Sequence, residues 1–126
     1  MEERRLFPRY PFEHDVELSN ADGAVAAAQT SELSAVGVGM LVSRDGVIAL
    51  AQGGTLLTPG DALVATLPEP RGPDGRWLTR VACRVKQVRR ISVDRYVVSA
   101  WFEDASDAQQ VAIARLLEQA QRERRA

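Results

Sequence analysis

Three guanidiniums crowd the opening of this chain, where "RRLFPR" carries Arg4, Arg5 and Arg9 around two apolar residues and a proline. Arginine presents a planar fork of donors that fits the O6 and N7 acceptors of guanine and, equally, the oxygens of a phosphate. Arg5 and Arg9 stand four apart, with Phe7 to anchor the segment and Pro8 to stiffen it. A second stretch, "SELSAVGVG", holds complementary chemistry. Glu32 and Ser34 flank Leu33, so on an extended chain both leave the same face. A carboxylate accepts from guanine N1–H and N2–H2, and a hydroxyl donates to phosphate. Gly37 lets a ligand or a neighbouring backbone come close. Together these residues form a kit suited to a guanine nucleotide.

Other chemistry finds little support. His14 is the single histidine and Cys83 the single cysteine, so neither can join a partner of its kind in a metal site or a catalytic pair. Cys83 falls on the apolar face of its segment and reads as buried and inert. No pair of carboxylates shares a strand face beside an apolar pocket, as acid–base work would need. The pattern is that of a non-enzyme without metal or cofactor.

The elements that must position these residues follow from periodicity. Residues 1–9 are charged, lack a period of their own and read as a flexible arm. From Tyr10 the chain turns to short strands: 14–19, ended by the turn sequence "NADG", then 25–33 and 37–43. The glycine-rich "DGVIALAQGGTLLTPGD" reads as a short strand or an irregular excursion. Strands over 61–70, 76–90 and 95–103 follow. In the second of these Trp77, Thr79, Val81, Cys83 and Val85 share one face, opposite Arg80, Arg84 and Lys86. Tyr96, Val98, Ala100 and Phe102 share a face of the last strand. Large aromatics on such strands, Trp77 and Trp101 included, are expected in the core.

The period then changes to that of a helix over about 106–124. Ser106 stands three residues before Gln109, a capping box, and Val111, Ile113, Ala114, Leu116, Leu117 and Ala120 supply an apolar stripe. Six short strands and one amphipathic helix favour a small antiparallel barrel with the helix over one mouth or edge.

Composition narrows the function classes. The chain has 126 residues, the length of one domain, with the 45% hydrophobic and 26% charged content of an ordinary globular protein. A net charge of −1 offers no bulk attraction to DNA, RNA or anionic lipid. Lys86 is the single lysine among sixteen basic residues, so nearly every cation is a forked guanidinium. The start lacks the apolar run of a signal peptide, and no run approaches the roughly 20 residues that span a bilayer. The expected location is the cytoplasm.

The order of these features, an R-x-x-x-R arm, a strand, an acid-x-S-x-x-G stretch, six strands and a terminal helix, resembles the PilZ domain family over nearly the whole chain. That family's pattern is R-x-x-x-R followed by D/N-x-S-x-x-G, matched here by Arg5 and Arg9 and by Glu32, Ser34 and Gly37. The resemblance implies a six-stranded antiparallel barrel at 10–126 with a C-terminal helix, preceded by the arm at 1–9. It implies that these residues, with Arg4 beside them, bind cyclic di-GMP, in many members as an intercalated dimer. Output would pass by arm rearrangement to an unidentified downstream protein, from a monomer or weak dimer that binds no nucleic acid and inserts in no membrane.

Glu32 departs from the family pattern. One added methylene moves the carboxylate by about 1.5 Å, the length of a C–C bond. Two other readings therefore stand beside the receptor: a protein-interaction module of the same fold that binds no nucleotide, and a small nucleic-acid-binding barrel. The near-neutral charge argues against the last.

Overall fold

Alternation of inward apolar and outward polar side chains accounts for most of the architecture. A computed structural model describes residues 7–69 and 77–125. Its strands are β1 (Tyr10–Pro11), β2 (Asp15–Ser19), β3 (Val25–Leu33), β4 (Gly37–Ser43), β5 (Ala62–Glu69), β6 (Trp77–Arg90) and β7 (Arg95–Phe102). Two helices complete it, α1 (Arg44–Ala49) and α2 (Asp107–Arg125).

The strands pair antiparallel in the order β1-β3-β2-β5-β6-β7-β4, and β4 returns to pair with β3. That pairing closes β2 to β7 into a six-stranded barrel, which removes the free sheet edges. The expected fold is present. β1 is an addition that periodicity could not show: two residues, paired as Tyr10↔Leu33 and Pro11↔Glu32, extend the line of β2 along the same edge of β3. The barrel interior is filled by side chains such as Leu18, Leu33, Met40, Leu67, Val81 and Val98, all fully buried.

The stretch after β4 corrects the sequence reading. It forms neither a strand nor a wholly irregular loop but begins with α1. Ser43 caps this helix, its Oγ accepting from Gly46 N–H at 3.0 Å. Gly46 is a poor helix former, yet a Cβ there would lie 2.7 Å from Val42 Cγ1, so the glycine lets the helix pack on the barrel. Val47 of the helix, its C-cap Leu50 and the later Leu57 are all buried, and Leu57 N–H donates to Val47 O at 3.0 Å. Tertiary burial outweighs the local preference.

The capping box of α2 forms as expected, with Ser106 N–H donating to Gln109 Oε1 at 2.8 Å and Gln109 N–H to Ser106 Oγ at 3.1 Å. The buried stripe is narrower than the sequence suggested. Ile113, Leu116 and Ala120 sit on the core, whereas Val111 and Ala114 are exposed because they lie round the helix from that line. Near its far end Glu123 holds His14, with Nε2 and Oε2 3.0 Å apart, and Gln119 donates to the same carboxylate oxygen at 2.9 Å. This clasp ties the link between β1 and β2 to the last turns of α2.

Cys83 is buried on β6, and burial pushes its thiol up to about 12. The thiol is therefore protonated at neutral pH, and only the thiolate is nucleophilic. Iodoacetamide at pH 8 should leave the folded protein unmodified and alkylate Cys83 fully in denaturant, read by intact mass.

Candidate functional site

Two register shifts decide which side chains reach the outer face of the barrel. Along β3 the inward positions run Ala26, Ala28, Thr30, and strict alternation would next carry Glu32 into the core. Instead the pairing with β4 shifts between Thr30↔Met40 and Glu32↔Gly39, leaving Ser31 as an extra residue. A bulge of this kind turns the face of everything after it. Leu33 goes inside, fully buried, and Glu32 comes out. In β6 the same device acts between Val85 and Gln87. Cys83 and Val85 face inward, Lys86 and Gln87 are both exposed, and Val88 packs on the core.

The two bulged strands are joined by one row of partners: Glu32↔Gly39, Gly39↔Ser99 and Ser99↔Gln87. Small residues in this region leave a depression. It is a cavity of about 690 Å³ floored by Gly37, Gly39 and Ser99 and walled by Phe7, Arg9, Glu32, Lys86 and Trp101. Its volume lies within the roughly 300–1,000 Å³ of clefts that take small ligands.

Of the sequence-predicted residues, Arg9, Glu32, Ser34 and Gly37 converge there. Arg9 Nη1 donates to Glu32 Oε1 at 3.1 Å, joining the arm to the β3 bulge across twenty-three positions of sequence. Both side chains keep about a third of their surface exposed (34% and 40%), so the pair is partly hydrated and open to competition. Ser34 borders the cavity but is 6% exposed, and its hydroxyl builds the turn between β3 and β4. It accepts from Val36 N–H and Gly37 N–H, each at 3.2 Å. Gly37 has the second of its two suggested uses, close approach of backbone: a Cβ would stand 2.4 Å from Ala100 O on β7. Arg4 and Arg5 lie outside the described residues.

Trp101 corrects an expectation. It is 44% exposed and forms a cavity wall rather than part of the core. Lys86, expected on a solvated face, holds its Nζ 4.3 Å from the centroid of the Trp101 ring. The signal was present in the alternation of β7, since Ala100 and Phe102 on the inward face leave Trp101 pointing out. Among the described residues no three His, Cys, Asp or Glu side chains gather as metal ligands.

No protein-family model matches the sequence, and no curated protein matches it. Solved structures do. The PilZ domain of YcgR from Escherichia coli with c-di-GMP aligns with a TM-score of 0.71 at 16% identity, over 98% of this chain and 95% of that one. MrkH from K. pneumonia in its c-di-GMP complex gives 0.68 at 16% identity, over 98% and 54%. The Bacillus subtilis inhibitor of motility, MotI, gives 0.66 at 14% identity, over 98% and 52%. The chain thus spans about half the length of MrkH and MotI. The likeness shows that the chain has the PilZ fold.

Gly37 offers a test of the turn that carries Ser34. Gly37→Ala forces a methyl against the Ala100 carbonyl and should cost about 1–3 kcal/mol, the usual range for overpacking. Urea unfolding should show a lower midpoint with an unchanged slope.

Proposed function

We propose that this chain is a receptor for cyclic di-GMP, a bacterial second messenger, and that it binds the ligand without converting it. The observation that carries this reading is the convergence of Arg9, Glu32, Ser34 and Gly37, from two separate motifs, on one open cavity. The PilZ-fold structures of YcgR and MrkH that hold c-di-GMP support it.

In this reading Arg9, with Arg5 and Arg4 beside it, grips guanine edges and phosphates through forked, charge-assisted hydrogen bonds. Glu32 accepts from the guanine N1–H and N2–H2 donors. The hydroxyl of Ser34 accepts from the turn amides and gives its one proton to Gly37 O at 3.4 Å, a long bond that a phosphate or ribose oxygen would have to displace, and Gly37 holds the turn against β7. Trp101 adds an aromatic face on which a base can stack, and Lys86 adds a cation beside it. The ligand takes the place of an existing contact. Opening the Arg9–Glu32 pair frees a donor fork and an acceptor together, and the arm is then repositioned around the ligand. A partner protein would read that new arm position. No described helix is long and apolar enough to cross a membrane, and the proposed site of action is the cytoplasm.

The same ion pair favours a second reading. Arg9 and Glu32 already satisfy one another, and a glutamate stands where the family pattern has Asp or Asn. A protein-interaction module that uses this surface without nucleotide would show these features too. Calorimetric titration separates the two: the receptor binds cyclic di-GMP and leaves GMP unbound, whereas the module gives no heat with either.

For the receptor, Arg9→Ala should weaken cyclic di-GMP binding by about tenfold or more. A hydrogen bond to a charged group contributes roughly 1.5–3 kcal/mol and 1.4 kcal/mol is a factor of ten. The unfolding midpoint should move little, because the pair that Arg9 makes is half-exposed. Unchanged affinity in this variant would remove Arg9 from the site.

A further inference from the structure

Gly39 lies in neither of the two sequence motifs, yet it sits directly under the most unusual residue of the site. It is the cross-strand partner of Glu32 at the β3 bulge, so the two residues share the outer face. A Cβ built on Gly39 would come within 3.0 Å of Glu32 Cγ, 3.2 Å of Ser31 Oγ and 3.7 Å of Glu32 Cδ. The Glu32 side chain therefore lies across the bare backbone of Gly39, and its carboxylate reaches Arg9 from there. The extra methylene of glutamate does not push the carboxylate out of the cavity, because that length is laid over a residue with no side chain.

We infer that Gly39 is a positioning residue for Glu32: glutamate serves as the acceptor of this site because glycine stands opposite it. The inference rests on the receptor reading for its consequence in binding. Its physical content is narrower: the path of the Glu32 side chain depends on the absence of a Cβ at position 39. Any side chain there lifts Glu32 Cγ by a few tenths of an ångström, with Ser31 Oγ closing the other side. A hydrogen bond with defined direction weakens steeply under such a shift.

A double-mutant cycle isolates the effect, using cyclic di-GMP in calorimetric titration against the parent, Gly39→Ala, Glu32→Ala and the double variant. Gly39→Ala should weaken binding about tenfold, the factor carried by one misplaced charge-assisted hydrogen bond. In the Glu32→Ala background the same change should alter affinity by less than about twofold, the limit of independent sites. Equal losses in both backgrounds would assign the glycine to the ligand or to the barrel, and the inference would fall. A second readout needs no ligand. The Arg9 Nε–Hε resonance should move in Gly39→Ala toward its position in Glu32→Ala, and an unmoved resonance would also overturn the inference. The unfolding midpoint should hold or rise, since glycine inside a strand weakens it; a fall would mark a packing role instead. If the parent binds no cyclic di-GMP the receptor reading fails, while the Arg9 resonance still decides the role of Gly39.

Discussion

The ladder between β3 and β4 has to admit one residue more on β3 than on β4, and the cavity depends on that mismatch. A closed barrel offers each strand residue only two directions, inward or outward, and alternation fixes the choice for a whole strand at once. Thr30 and Leu33 are both fully buried, which strict alternation forbids. The unmatched Ser31 reconciles them and delivers a carboxylate to the outer face. A burial this complete on either side of the bulge holds it firmly, since slipping the register would exchange a core leucine for a charged side chain. The bulge in β6 is its counterpart, and through the β4–β7 partners the two frame the same depression.

Much of this was legible in the sequence because the barrel strands obey a period of two. The face of β6 from Thr79 to Val85, the face of β7, the turn at "NADG" and the capping box at Ser106 are local patterns, and the structure keeps them, while the side chain of Trp77 lies outside the described residues. The failures are equally physical. α1 depends on Gly46 fitting against Val42, a contact across elements that no local propensity reports. β1 is two residues long and exists only because β3 continues beyond the end of β2. The site divides in the same way. Arg9, Glu32, Ser34 and Gly37 were visible as types at a spacing, but the strand face of Glu32 came out right only through a bulge. Trp101 was visible in the alternation and was misassigned by the general preference of tryptophan for interiors. Lys86 keeps the outward face that alternation gives it, whereas its seat over the Trp101 ring and the second bulge that exposes Gln87 beside it are contacts alternation cannot foresee.

The arm residue Arg9 has a neighbourhood that reaches well beyond the cavity. One residue further along, Tyr10 pairs with Leu33 in β1, and four residues after that His14 is held by Glu123 of α2. Thr30 secures the stretch between them, its Oγ bonded to Phe12 O and accepting from His14 N–H. The segment that presents Arg9 is thus fastened to β3 on one side and to the helix on the other. The stretch after Arg9 is tied to α2 through β1 and His14 rather than through the barrel wall.

A floor made of glycine also sets the directions in which the site can evolve. Gly37 and Gly39 contribute only main chain to the cavity lining, and main chain is the one part of a protein that substitution leaves in place. Any change at Gly39 adds atoms beneath Glu32, so at that position a single mutation can make the basin shallower but never deeper. The other walls are free in both directions: Arg9, Lys86 and Trp101 can each shrink, grow or change charge without adding atoms at Gly39. Drift will therefore retune the chemistry of the basin's walls long before it alters the depth at Gly39, and a lineage that once fills that position has only reversion as a way back.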